Sequence, residues 1–267
     1  MIREPVVSGR FYPESKDALS KIIQEYTPKN SPKIDAQAVI LPHAGYTFSG
    51  KVAVTTIAQI LKKKKVIILG TNHSALGVPF GLWPEGSWRT PLGNVEIDRE
   101  LASQILSKSN LITADPASHN DEHSIEVELP ILQYFLKDFK FVPISCMQAS
   151  LGDYQQVASD IAEAIKTQKN DILLVASTDF THYEADPAAR RKDRLAIEQI
   201  IDFDEEKLIS TVFAQDISIC GLAPVAILLA LLKKLGTRKS FVSLYQTSAD
   251  VTGDFKSVVG YAGVIFK

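Results

Sequence analysis

The segment VIILGTNHS, residues 66–74, decides the fold: branched aliphatic residues run without a break, then a glycine, then small polar residues around His73. An apolar run this continuous suits a strand covered on both faces, as in a parallel sheet. Its polar exit puts His73 where the strand ends. Two further segments repeat the arrangement: AVILPHAGYTFSG (38–50) with His43, and LLVASTDFTHYE (173–184) with His182. In α/β proteins, functional groups gather where strands run out into loops along one edge of the sheet. Three histidines placed in this way predict one shared site, most simply a metal site. A fourth, His123 in NDEHSIEVELP (120–130), opens a helical pattern.

Short apolar runs alternate with longer amphipathic ones along the rest of the chain, the pattern of an α/β protein. The predicted strands are Ala36–Leu41, Val66–Gly70, Phe141–Ser145, Asp171–Ser177, Phe241–Gln246 and Ser257–Phe266. The predicted helices are Ser15–Tyr26, Gly50–Lys63, Asp98–Lys108, Ser124–Leu136, Asp153–Thr167, Pro187–Ile201, Glu205–Phe213 and Leu222–Leu235. Ser15, Asp98 and Asp153 have N-cap chemistry. Val78–Ile97 is dense in Pro, Gly and Trp and reads as one or two β-hairpins inserted after the second strand. No repeat or linker divides the chain, so its 267 residues are expected to form one domain. The predicted class is α/β, a three-layer α/β/α sandwich around a mainly parallel or mixed sheet.

Composition excludes several functions. The net charge of −2 gives no electrostatic case for nucleic acid. The basic run Lys62–Lys65 is expected to be a solvated helix end. No apolar run approaches the roughly 20 residues of a membrane span, and no signal-peptide core is visible at the start. Two cysteines make no disulfide framework, so a reduced, cytoplasmic setting is the expectation. Walker A, G-x-G-x-x-G, G-x-S-x-G and H-E-x-x-H motifs are all missing.

The candidate site residues follow from local chemistry. Pro42 stiffens the exit before His43, and Gly45 permits a tight turn beside Tyr46. Asn72 and His73 leave their strand after Gly70. Each of these histidines has an alternative use, hydrogen bonding to backbone at the sheet edge. Asp179 and His182, three apart, can face one pocket if the segment turns helically, the carboxylate fixing the imidazole tautomer. His123, at a helix start, is expected neutral and able to ligate or act as a base. Glu126 and Glu128 are expected to point away from the buried stripe, and His119 to lie on the surface. Cys220, just before an apolar helix, is expected to have a lowered pKa and thiolate character, which suits iron, zinc or copper(I).

Taken together, LPHAGY, GTNHS, the W-x-T-P-L-G-x-V-x-I-D stretch (Trp88–Asp98), DEHSIEVELP, S-x-D-F-T-H-Y, ICG and the opening Ser8–Pro13 resemble the Memo family over nearly the whole chain. The resemblance implies a fold similar to class III extradiol ring-cleaving dioxygenases. It implies a metal site for iron or copper with His43, His73 and Cys220 as ligands, His182 as acid/base and Asp179 beside it. His123, Asn72 and Tyr46 are candidate pocket residues. Prokaryotic members are often encoded beside radical-SAM proteins, as AmmeMemoRadiSam system protein B, which implies partners in that system. Cys220 stands where those dioxygenases have a carboxylate, making the site softer. The expected function is therefore redox or oxygen-dependent chemistry at iron(II), with copper or zinc as alternatives. The contrasting expectation is a non-catalytic module that binds a phosphopeptide or small anion on the same scaffold.

Overall fold

In the computed structural model, which describes residues 1–267, the predicted apolar runs form the centre of a nine-stranded mixed sheet. The strands of the first half are β1 (Ile2–Arg3), β2 (Ala38–Leu41), β3 (Lys65–Thr71), β4 (Phe80–Leu82), β5 (Ser87–Thr90) and β6 (Gly93–Glu96). Those of the second half are β7 (Thr113–Ala114), β8 (Lys140–Cys146), β9 (Ile172–Ser177), β10 (His182–Glu184), β11 (Ser240–Thr247) and β12 (Val258–Phe266). The large sheet has the order β10-β12-β2-β9-β3-β8-β4-β7, with β11 also paired to β12. Its middle, β2-β9-β3-β8, is parallel. β12 and β4 flank that block antiparallel.

Side chains alternate across these strands with period two. Val39, Leu41, Val66, Ile68, Leu173 and Val175 enter one core, and Ala38, Ile40, Ile67, Leu69, Leu174 and Ala176 the other. On the first face pack α1 (Lys16–Tyr26), α2 (Lys51–Ile57) and, after α3 (Arg99–Lys108) on the opposite face, α4 (Leu129–Leu136). α5 (Leu151–Ile165), α6 (Asp186–Ile201), α7 (Glu205–Ala214) and α8 (Leu222–Leu235) join α3, giving three layers. A short α9 (Ala249–Thr252) precedes β12. α8 is apolar all round and buried along most of its length, as suits a helix packed on β3 and β9 and flanked by α5 and α7. Gly236, left-handed at φ 83°, ends it beyond Lys233 and Lys234. None of these helices is long and apolar enough to cross a membrane.

Ser15 and Asp98 cap their helices as expected. Asp153 does not: Ser150 is the cap, and Asp153 completes a capping box from the third helical position. Helix α2 ends at Ile57, so Lys62–Lys64 lie in a loop and Lys65 begins a strand. Lys63 meets Asp35 and the Asn170 carbonyl there. Of the Pro/Gly/Trp-rich stretch, β5 and β6 form a hairpin that joins β1 in a separate three-stranded sheet, while β4 enters the large one. The segment expected to be helical from Ser124 makes a 3-10 turn over Glu126–Glu128 and becomes α-helical only at Leu129.

Candidate metal centre

The parallel strands bring their C-terminal ends to one edge, where β2 leads to His43, β3 to His73 and β9 to Asp179. Gly70 lets the chain after β3 pass close under the segment of His123. A Cβ at position 70 would sit 2.3 Å from Ile125 Cγ1 and 2.7 Å from Ser124 Oγ. His43, His73 and His123 converge, with one ligand atom from each lying within 4.8 Å of the others. The His73 and His123 rings stack at 4.7 Å between centroids, and His43 meets both edge-on.

Two of the three rings are held from behind. His73 Nδ1 lies 2.9 Å from Glu122 Oε1 and its backbone N–H donates to the other oxygen of Glu122. The backbone N–H groups of His123 and Ser124 donate to Glu122 Oε1. His43 Nδ1 lies 2.8 Å from Ser177 Oγ. A carboxylate or hydroxyl partner on one ring nitrogen leaves the other free for a ligand, the usual support of a metal-bound histidine. Burial alone would push the Glu122 carboxyl up, but its hydrogen bond with His73 and the charge there outweigh this and bring it to about 2. The reciprocal effect raises His73 against its own burial penalty. Burial, then the neighbouring histidines, hold His43 well below its ordinary value, and burial lowers His123. A lowered pKa favours the neutral imidazole, the form that binds metals. This donor set fits a transition metal.

Cys220 faces the cluster from the other side. Its Sγ lies 3.3 Å from His43 Nε2 and receives the Asp179 backbone N–H at 3.2 Å. The sulfur stands outside the three-histidine group but touches its innermost ring. The expected thiolate character is overturned in the metal-free protein. Burial, and then the Asp179 charge, push the thiol up to about 12. The start of α8 does not compensate, because desolvation of a buried anion exceeds a helix-end dipole.

Asp179 is buried, and its Oδ1 accepts the His43 backbone N–H at 2.9 Å. Burial raises its carboxyl to about 6, against the lowering influence of His182 and of the His43 and Ala44 backbone N–H groups. The Asp179–His182 segment is not helical, and His182 opens β10. The His182 ring is oriented by Ser218, whose carbonyl lies 2.8 Å from Nδ1. A carbonyl only accepts, so Nδ1 carries a proton, and in the neutral ring Nε2 is the nitrogen with the lone pair. Asn72 spends its amide on Leu76 O and Ser74, within its own loop. The Tyr46 hydroxyl donates to Val127 O and its ring packs on Tyr12, so it braces the segment behind His123.

Several residues of this site escape a reading of the sequence. Glu122 is one. Glu126 and Glu128, expected to point away, are both buried. Glu126 receives Arg3 at 2.8 Å, the Val6 and Val7 N–H groups and the Tyr12 hydroxyl. Arg3 also donates to the His119 and Glu122 carbonyls and lies 4.1 Å from the Trp88 ring centroid. This clasp ties the opening residues to the segment that supplies Glu122 and His123. His119, expected on the surface, is fully buried within it, its Nε2 donating to Gly81 O.

Comparison with known proteins places the chain in a family. A family model described as Memo-like protein matches residues 3–265. A MEMO1 family protein of Methanopyrus kandleri is 39% identical over 281 residues, spanning 100% of this chain and 99% of that protein. One from Thermotoga neapolitana is 40% identical over 280 residues, spanning 99% of each. Among solved structures, an uncharacterized protein, JW3007 of Escherichia coli K12, superposes with a TM-score of 0.56 at 14% identity. It covers 85% of this chain and 98% of its own, a likeness of fold alone.

Proposed function

This chain belongs to the Memo family, and on that premise we propose that it is a metal-dependent protein acting by redox or oxygen-dependent chemistry at the sheet edge. The observation that carries the reading is the convergence of three imidazoles within 4.8 Å, with Ser177 behind His43 and Glu122 behind His73. His43 and His73 are the proposed common ligands, with His123 and Cys220 the candidates to complete the set. Iron(II) is the proposed ion, with copper or zinc the alternatives allowed by mixed imidazole and thiolate donors. Such an ion supplies Lewis acidity and, if iron or copper, electron transfer.

The protein's own groups have separable tasks in this reading. His182, with Nδ1 held by Ser218 O, presents Nε2 to take a proton from a bound substrate or return one. Asp179 anchors the His43 backbone and favours a cation in the pocket. Neighbouring positive charge would release the Cys220 proton, since thiols bind metals as thiolates.

Reconstitution tests the proposal. Apo protein is loaded anaerobically with iron(II), copper(I) or zinc, desalted and analysed for bound metal. Near-stoichiometric retention that His43→Ala abolishes is expected. Clearly substoichiometric metal, no different from that in His43→Ala, refutes it. Parallel losses in His123→Ala and Cys220→Ser assign the remaining ligand.

A further inference from the structure

Behind His43 lies a polar chain of which the metal reading uses only the Ser177 end. Ser177 Oγ, at the end of β9, has three close partners: Ser124 O at 2.8 Å, Glu128 Oε1 at 2.9 Å and His43 Nδ1 at 2.8 Å. Ser177, Ser124 and Glu128 are fully buried. The second oxygen of Glu128, Oε2, has no hydrogen-bond partner, and no lysine or arginine pairs with this carboxyl.

Counting protons fixes the chain's polarity. A hydroxyl has one hydrogen to give. Ser124 O can only accept, so the hydrogen of Ser177 goes there. Ser177 Oγ must then accept from its other two partners. The proton between Ser177 and Glu128 therefore sits on Glu128, and the proton between Ser177 and His43 sits on Nδ1. An ionised Glu128 would instead take the serine hydrogen. That would leave a hydroxyl oxygen against a carbonyl oxygen at 2.8 Å, and a buried anionic oxygen with nothing to solvate it.

We infer that Glu128, as a neutral carboxylic acid, acts through Ser177 to hold His43 in its Nδ1–H tautomer and so aims the Nε2 lone pair at the metal-binding cleft. Glu128 is thus a positioning residue for the site, and its relevance to metal affinity rests on the metal reading above. The surroundings agree. The titratable groups facing Glu128 are Tyr46 and Asp179. Tyr46 donates elsewhere, to Val127 O, and burial, with the Asp179 charge, raises Glu128 well above the usual carboxylate range against the lowering effect of its Ser177 hydrogen bond. Nε2 of His43 meets only the Cys220 sulfur. The device explains why a glutamate can lie in an apolar layer with one bare oxygen: the bare atom is the carbonyl of an acid.

The test begins with metal-free wild-type protein, so that it stands whether or not a metal binds. Proton–nitrogen correlations of labelled histidine are expected to show His43 protonated at Nδ1 and bare at Nε2 at neutral pH. The carboxyl carbon shift of Glu128 is expected to report the protonated acid. An Nε2–H tautomer, or an ionised Glu128 at neutral pH, overturns the inference while leaving the metal proposal standing. Cobalt(II) titration followed by absorption then reads the consequence. Glu128→Gln keeps a neutral donor toward Ser177 and is expected to bind cobalt within about threefold of wild type, whereas Glu128→Leu and Ser177→Ala weaken binding roughly 10–100-fold. A Glu128→Gln loss as large as that of Glu128→Leu means the negative charge is required and refutes it. If Glu128→Leu does not fold, Ser177→Ala carries the comparison, with a mixture of His43 tautomers as its expected spectroscopic signature.

Discussion

Removing either side of the Arg3–Glu126 clasp should destabilise the protein, and by unequal amounts. The two side chains are almost fully buried and 2.8 Å apart. Arg3→Met removes a cation but leaves Glu126 with the Val6 and Val7 N–H groups and the Tyr12 hydroxyl. The His119 and Glu122 carbonyls lose a donor. Breaking a buried pair costs about 3–5 kcal/mol, and the surviving donors to Glu126 place Arg3→Met near the lower end, about 3 kcal/mol. Glu126→Leu strips three donors of their acceptor at once and leaves the guanidinium without an anion. Each orphaned donor costs about 1–3 kcal/mol, so this variant should reach or exceed about 5 kcal/mol. At this chain length about 2 °C accompanies each kcal/mol, giving Tm losses of about 6 °C and 10 °C or more. Calorimetry on metal-free protein measures both. A larger loss for Arg3→Met than for Glu126→Leu, or losses under about 1 kcal/mol for either, would refute the reasoning.

Acid should weaken the fold through His119. Burial depresses this imidazole to about 4 from its ordinary 6.5, so the unfolded chain takes up the proton first. Its contribution is complete above about 6.5 and lost as pH falls through about 4, up to about 3 kcal/mol. Urea midpoints across that window should fall more steeply in wild type than in His119→Gln, and equal slopes would contradict this. Gly221→Ala should cost about 1–3 kcal/mol, because the new Cβ would lie 2.4 Å from Thr178 Cβ and 2.6 Å from Ser177 O. An unchanged Tm would show that the start of α8 yields freely. Leu228→Ala, at the buried centre of α8, should lose about 2–5 kcal/mol in urea unfolding, and a loss near zero would mean that helix is loosely packed.

The sheet was legible because its central strands are written as unbroken aliphatic runs, and the six predicted strands coincide with observed ones within a few residues. β1, β4, β7 and β10, of two or three residues each, are too short to carry a period. The segment around Glu126 and Glu128 misled for a physical reason. Read as an α-helix from Ser124, it puts the glutamates off the apolar stripe, whereas the observed 3-10 turn is buried on every side. Pro130 was the available signal. A proline is tolerated in the first turn of a helix and disruptive further in, so it argues for a start at Leu129. Of the converging His43, His73 and His123, the first two were legible because strand ends share an edge by topology, whereas His182, the third histidine expected at a strand end, stands outside the group. That Glu122 organises the group was not legible, because a carboxylate beside a histidine in sequence looks like any solvated loop. His119 was misread because its burial depends on Arg3 and Trp88, both distant in sequence.

The place of β9 in the sheet has a kinetic consequence. β9 lies between β2 and β3, which do not pair with each other. β2 ends at residue 41 and β3 at residue 71, yet their common partner begins only at residue 172. On a growing chain these two apolar strands emerge with facing edges open, and must wait for more than half the molecule before the gap is filled. Long-range parallel pairing of this kind is slow and exposes edges that invite association. His43 and His73, borne on those two strands, acquire a fixed spacing only when the late strand slides between them. An ion held by both would therefore meet a complete site only once that late strand is in place.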